Sequence, residues 1–104
     1  KYDVTAYSDR RVKTNIEVIP DALEKVQKLS GYTFNRTDTK HEVKQTGVIA
    51  QEVMEVLPEA VNGDDEGGYS VAYGNMVGIL IEAIKEQQTQ IDELKDMVKK
   101  LTEK

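Results

Sequence analysis

Residues 77–101 read VGILIEAIKEQQTQIDELKDMVKKL, and placing Val77, Ile84, Ile91 and Val98 at heptad position a puts Leu80, Gln87, Leu94 and Leu101 at d. Only Gln87 interrupts this apolar seam, and a buried glutamine layer would fix register. With Asn75 as a cap, the predicted helix runs about thirty residues, well beyond ordinary globular length. The pattern predicts a coiled coil. β-Branched residues at a with Leu at d favour two strands in parallel coils, whereas Met76, Ala83 and Met97 at g widen the apolar face for additional neighbours.

Upstream of the helix the signals are shorter. Tyr2, Val4 and Ala6 alternate with polar residues, which predicts a short strand or an extended tail. Ile16, Val18 and Ile19 suggest a second extended piece, and Pro20 with Asp21 signals a helix start. Ala22, Leu23, Val26 and Leu29 then recur at helical spacing until Ser30 and Gly31. Tyr32 to Asn35 reads as a strand, with a return strand expected near Val43 after a polar turn. Ile49, Val53, Val56 and Leu57 mark one face of a helix that Pro58 stops. Ala60 and Val61 are expected to pair with Tyr69 and Val71 across an Asn62 to Gly68 turn. The fold class is therefore α+β, mainly helical: short helices and small hairpins followed by a long C-terminal helix.

A chain of 104 residues holds at most one domain with a modest core. Aromatic residues make up only 6% and there is no Trp, so Val, Ile and Leu must supply that core. The absence of Cys excludes disulfides, thiolate catalysis and thiolate metal sites. Self-association is the remaining means of stabilising so small a unit. A net charge of −5 argues against binding a phosphate backbone, and Arg10, Arg11 and Lys13 form the one basic knot. No apolar stretch is long enough to span a bilayer and no signal-peptide pattern opens the chain. We therefore expect no nucleic-acid or membrane partner and a soluble protein made inside the cell.

The segment Ser8-Asp9-Arg10-Arg11-Val12-Lys13 carries the most chemistry. A serine hydroxyl attacks a carbonyl only when a base takes its proton, and a neutral lysine can be that base where burial or neighbouring positive charge disfavours its protonated form. Five residues along a helix or a strand leave the two side chains on different faces. A Ser8-Lys13 dyad thus requires either a bend or a lysine from a neighbouring chain. Asp9 and Asn15 flank the pair and are candidates for setting its loop, Asp9 through an Asx-type turn.

Five blocks in fixed order make the reading specific: SDRRVKTNI at 8–16, GVIAQEV at 47–53, LPEAV at 57–61, VAY at 71–73 and the LIEAIKE helix at 80–86. Together they resemble the intramolecular chaperone auto-processing domain of phage endosialidases, tail spikes and tail fibres, a domain related to one in the eukaryotic myelin regulatory factor. The resemblance covers about residues 8–101. It implies a homotrimer that assembles the upstream spike or fibre of its own polypeptide and then releases itself. It also implies a self-cleaving serine endopeptidase whose Ser-Lys dyad falls on Ser8 and Lys13 and whose scissile bond is Tyr7-Ser8. Residues 1–7 would be the upstream segment, 8–74 the globular auto-processing part and 75–104 the coiled-coil helix. The setting implied is the host cell cytoplasm during virion assembly, with release from the mature virion after cleavage. Because residues 1–7 accompany an intact motif, a trimerisation module that stays attached as a fibre tip is the competing expectation.

Other polar residues weigh less. Gln51 and Glu52 interrupt the GVIAQEV block and are expected either to orient the dyad, to bridge subunits or to face solvent. His41 lacks a second ligand at metal-binding spacing and reads as a surface residue. Asp64, Asp65 and Glu66 lack the alternating ligands of a calcium loop and read as a hairpin turn. No cofactor or metal is expected.

Overall fold

The computed structural model describes residues 3–39 and 43–103. His41 lies outside them. A 3-10 turn at Arg10–Val12 precedes helix α1 (Ala22–Gln27), which is followed by strands β1 (Tyr32–Phe34) and β2 (Gln45–Gly47). Helix α2 (Ala50–Val56) leads through a 3-10 turn at Pro58–Ala60 into β3 (Val61–Asp64) and β4 (Gly68–Val71). A further 3-10 turn, Tyr73–Met76, opens onto helix α3 (Val77–Thr102). The architecture is α+β, with short helices, two antiparallel hairpins and a long C-terminal helix.

The core is narrow because few side chains are large. Ala22, Val53, Leu57, Ala60, Met76, Ile79 and Ala83 form it, with Val53 and Ile79 fully enclosed. Complete burial of a side chain such as Ile79 contributes roughly 1.5–3 kcal/mol. Around this centre pack the half-buried Ile19, Leu23, Val26, Leu29, Val48 and Val71. The stripe Met76, Ile79, Ala83 and Glu86 recurs at three- and four-residue steps, so α3 lays one face along α1.

That orientation changes the reading of the g positions. Met76 and Ala83 are buried in their own subunit and do not widen an outward face. The a and d side chains point away: Ile84 is 64% exposed and Leu101 68%. Ile81, at position e, joins them on the outside at 50% exposure. From Gln87 to Thr102 every residue of α3 is exposed.

Local chemistry places the hairpins. Tyr32 pairs with Gly47 and Phe34 with Gln45, so the return strand begins at Gln45 and Val43 stands exposed before it. The expected strand near Val43 is displaced because pairing opposite Tyr32–Phe34 runs through the residues next to α2. In the second hairpin Val61 pairs with Val71 and Asp64 with Gly68, leaving a three-residue loop in place of the longer turn expected. Ala72 N–H donates to the Ala60 carbonyl at 2.8 Å and extends the ladder by one step. Gly63 has φ +113°, and a Cβ there would run into the Gly68 carbonyl, so the tight hairpin requires glycine.

One local expectation fails, the cap at Asn75, and the others hold in part. Residues 3–9 and 15–19 pair with no neighbouring edge, which removes the strand and leaves the tail alternative for the first segment, and Asn15 adopts a left-handed φ of +52°. Asn75 sits inside the Tyr73–Met76 turn and its side chain caps nothing; Met76 occupies the cap position of α3. The helix start expected at Pro20 and Asp21 is met, since α1 begins at Ala22 with Asp21 at its N-cap position, although Asp21 is left-handed, φ +53°, and makes no side-chain cap bond. The Leu23 N–H instead donates to the Glu86 carboxylate of α3.

Candidate functional site

The sequence around Ser8 folds into a bend through its own side chains. Asp9 stays extended (φ −73°, ψ 133°) while its Oδ1 accepts the Arg11 N–H at 2.8 Å, closing an Asx-type turn. Val12 N–H donates to the Asp9 carbonyl at 3.2 Å and Lys13 N–H to the Arg10 carbonyl at 3.1 Å, completing one 3-10 turn. The chain then returns to extended geometry at Lys13, with φ −115° and ψ 143°.

This turn brings the ends of the motif together. Lys13 Nζ donates to Ser8 Oγ at 2.6 Å within one chain. Of the two routes that the spacing left open, a bend suffices for contact. Both residues are exposed in the single subunit, as is Tyr7 at 78%. Arg11 also grips the Asp9 carboxylate through Nε at 3.1 Å and Nη2 at 2.8 Å. The pair holds the Asp9 carboxyl below its ordinary range, chiefly through the Arg11 side-chain bond, and raises the Arg11 guanidinium for the same reason. The charge of Arg11 is thus matched by Asp9.

The other candidates lie elsewhere. Glu52 accepts from Tyr32 Oη at 2.8 Å, which fastens α2 to β1. Gln51 lines a cleft of about 560 Å³ between the hairpins, together with Phe34, Thr46, Tyr69 and Tyr73. Neither is hydrogen-bonded to Ser8 or Lys13. Asn15 contributes its left-handed backbone beyond the turn. Asp64 Oδ1 accepts the Gly67 N–H at 2.6 Å and Asp65 accepts from Tyr69 Oη at 2.5 Å, so these two carboxylates are engaged within their own hairpin. Among the described residues there is no cluster of metal-ligating side chains, and no helix is long and apolar enough to cross a membrane.

Residues with positioning roles that sequence reasoning missed are Glu86, Tyr32 and Tyr73. The Tyr73 hydroxyl accepts the Val48 N–H at 3.2 Å and ties the α3 lead-in to the strand before α2. For Tyr32 and Tyr73 only the phenolic hydroxyl hinted at a tie, because such a group commonly finds a partner for its polar end, and nothing in the sequence marked Glu86.

Against this geometry stands a match to a peptidase family described as chaperone of endosialidase. Its family model matches residues 8–62, more than half of the chain, and the chain belongs to that family. The chain is also similar to long tail fiber protein Gp37 of several phages. It is 33% identical to that of Salmonella phage S16, over 96% of this chain and 16% of the relative. It is 37% identical to that of Escherichia phage AR1, over 81% of this chain and 8% of the relative. It is 35% identical to that of Enterobacteria phage Ox2, over 89% and 40%. The chain thus spans less than half the length of these curated relatives.

Proposed function

We propose that this chain is a homotrimeric intramolecular chaperone, which promotes folding and trimerisation of an upstream phage fibre or spike in the same polypeptide and then frees itself by cutting Tyr7-Ser8. The observation that carries this reading is the 2.6 Å approach of Lys13 Nζ to Ser8 Oγ in a chain of this family. Membership in a family described as a chaperone and similarity to tail fibre proteins support the assembly role. The outward a and d residues of α3 supply an apolar stripe, broken only at Gln87, that is suited to self-association.

In the reaction, neutral Lys13 Nζ takes the Ser8 hydroxyl proton as Oγ attacks the Tyr7 carbonyl carbon. The Tyr7-Ser8 C–N bond breaks as the C–O ester bond forms, and Lys13 returns the proton to the departing Ser8 nitrogen. Water then attacks the ester, with Lys13 accepting and relaying its proton, to leave a Tyr7 carboxylate and the free Ser8 hydroxyl. Each chain cuts once. Exposure of the dyad in one subunit suits a reaction that awaits assembly, since covering it would favour the neutral amine. Synthesis in the host cytoplasm and loss from the mature virion complete the proposal.

Expression of a chain extended well upstream of Lys1 tests both halves. Wild type should give two fragments that part at Tyr7-Ser8 by intact mass, with the released piece trimeric by light scattering. Ser8→Ala and Lys13→Ala should each give one uncut trimer; cutting at the wild-type rate in both would refute the dyad. A wild-type trimer that never cuts would support the retained fibre tip. Deleting residues 8–104 should cause the upstream region to aggregate.

A further inference from the structure

An apolar cavity of about 320 Å³ opens beside the first turn of α3, walled by Val26, Leu29, Val48, Tyr73, Met76 and Leu80. Its walls come from α1 and the chain just beyond it, from the segment after β2 and from the start of α3. Leu80 is a d residue of the outward stripe, while Met76 at g is buried against the core. The cavity therefore sits on the flank of α3, between the face that packs on its own subunit and the face that does not.

That flank is where a neighbouring helix would run. Subunits related by a rotation axis along α3 have parallel helices, and in a parallel coil the g residue of one heptad meets the e residue of the next heptad on the adjacent chain. The counterpart of Met76, five residues on, is Ile81. Position e normally carries a charged residue, yet Ile81 is a branched aliphatic side chain left 50% exposed by its own subunit.

The geometry points to Ile81 of a second copy as the occupant of this cavity. The inference rests on the self-association proposed above and deepens it. Each subunit plugs the globular part of the next, so the interface includes α1 and the segment after β2 as well as the helical seam. Association thereby completes the apolar surroundings of Val48 and Tyr73, whose mutual hydrogen bond ties the hairpins to α3.

Because the chain has no cysteine, engineered pairs report this contact directly. Ser30 and Gly31 border the cavity, and a Cβ added at Gly31 would meet nothing within 4 Å. The 104-residue chain would carry Ile81→Cys with either Ser30→Cys or Gly31→Cys, be sized by light scattering while reduced, and then be mildly oxidised. At least one pair should yield two- and three-chain species that reductant reverses, whereas Lys85→Cys with the same partners should yield none. A trimer that fails to cross-link with both Ile81 pairs would overturn the plug and leave the assembly reading standing. A monomer at all concentrations would overturn both.

Discussion

Glu86, 63 residues beyond Leu23, caps α1 by accepting the Leu23 N–H, although Asp21 stands directly before that helix. The local aspartate has been displaced by its own backbone: at φ +53° its carboxylate does not reach the first amides. Glu86→Ala should therefore destabilise the chain by about 1 kcal/mol, the usual cost of a lost cap. Asp21→Gly should stay within about 0.5 kcal/mol, because glycine accepts the left-handed backbone and no cap bond is lost. Urea unfolding of both variants at one fixed protein concentration separates them.

Acid should loosen the bend at Ser8. The folded-state carboxyl of Asp9 lies below its ordinary value near 3.8, chiefly because of the Arg11 side-chain bond. A depressed acid contributes order above its ordinary titration range and loses it as pH falls through the folded value. An NMR titration of the Asp9 carboxyl should give a midpoint below 3.8 in wild type that moves up toward it in Arg11→Ala. A midpoint unchanged by that substitution would remove the ion pair from the account.

The strand before α2 and the lead-in to α3 meet too closely for a side chain between them. A Cβ at Gly47 would collide with the Tyr73 hydroxyl, the group that accepts the Val48 N–H. Gly47→Ala should cost about 1–3 kcal/mol through this crowding. In a Tyr73→Phe background the same change should cost less, since the colliding oxygen is gone, and a double-mutant cycle in thermal melts measures the coupling.

Within the outward stripe Gln87 is the polar exception and should trade stability for register. Gln87→Leu should raise the apparent Tm of the proposed assembly, and Leu94→Asp should lower the association constant by at least tenfold. Sedimentation across a concentration series reads both changes.

Much of this arrangement is legible in residue order because it depends on near neighbours. Val53 and Leu57 marked the buried face of α2, and the alternation around Val61 and Val71 announced the second hairpin. What escaped is non-local. No periodicity tells Met76 and Ala83 to face inward while Ile81 faces outward, because that choice is made by the position of α1. Glu86 at a c position looks like any solvated glutamate until α1 is seen to begin above it. At the candidate site the spacing of Ser8 and Lys13 demanded a bend or a second chain. The bend came from Asp9 and its arginine, whereas the tie of Glu52 to Tyr32 could not be read from α2 alone.

The distal half of α3 is bare along its whole circumference, from Gln87 to Thr102. A helix of about that length holds only marginally in water without a companion. Its winding should therefore obey mass action, so that thinning the solution unravels the tip before the globular body opens. Circular dichroism at falling protein concentration would then record a loss of helix that heat had no part in. In the proposed trimer such a tail would meter how many copies are at hand, and a fibre whose chains emerge side by side would supply them at the moment they are needed.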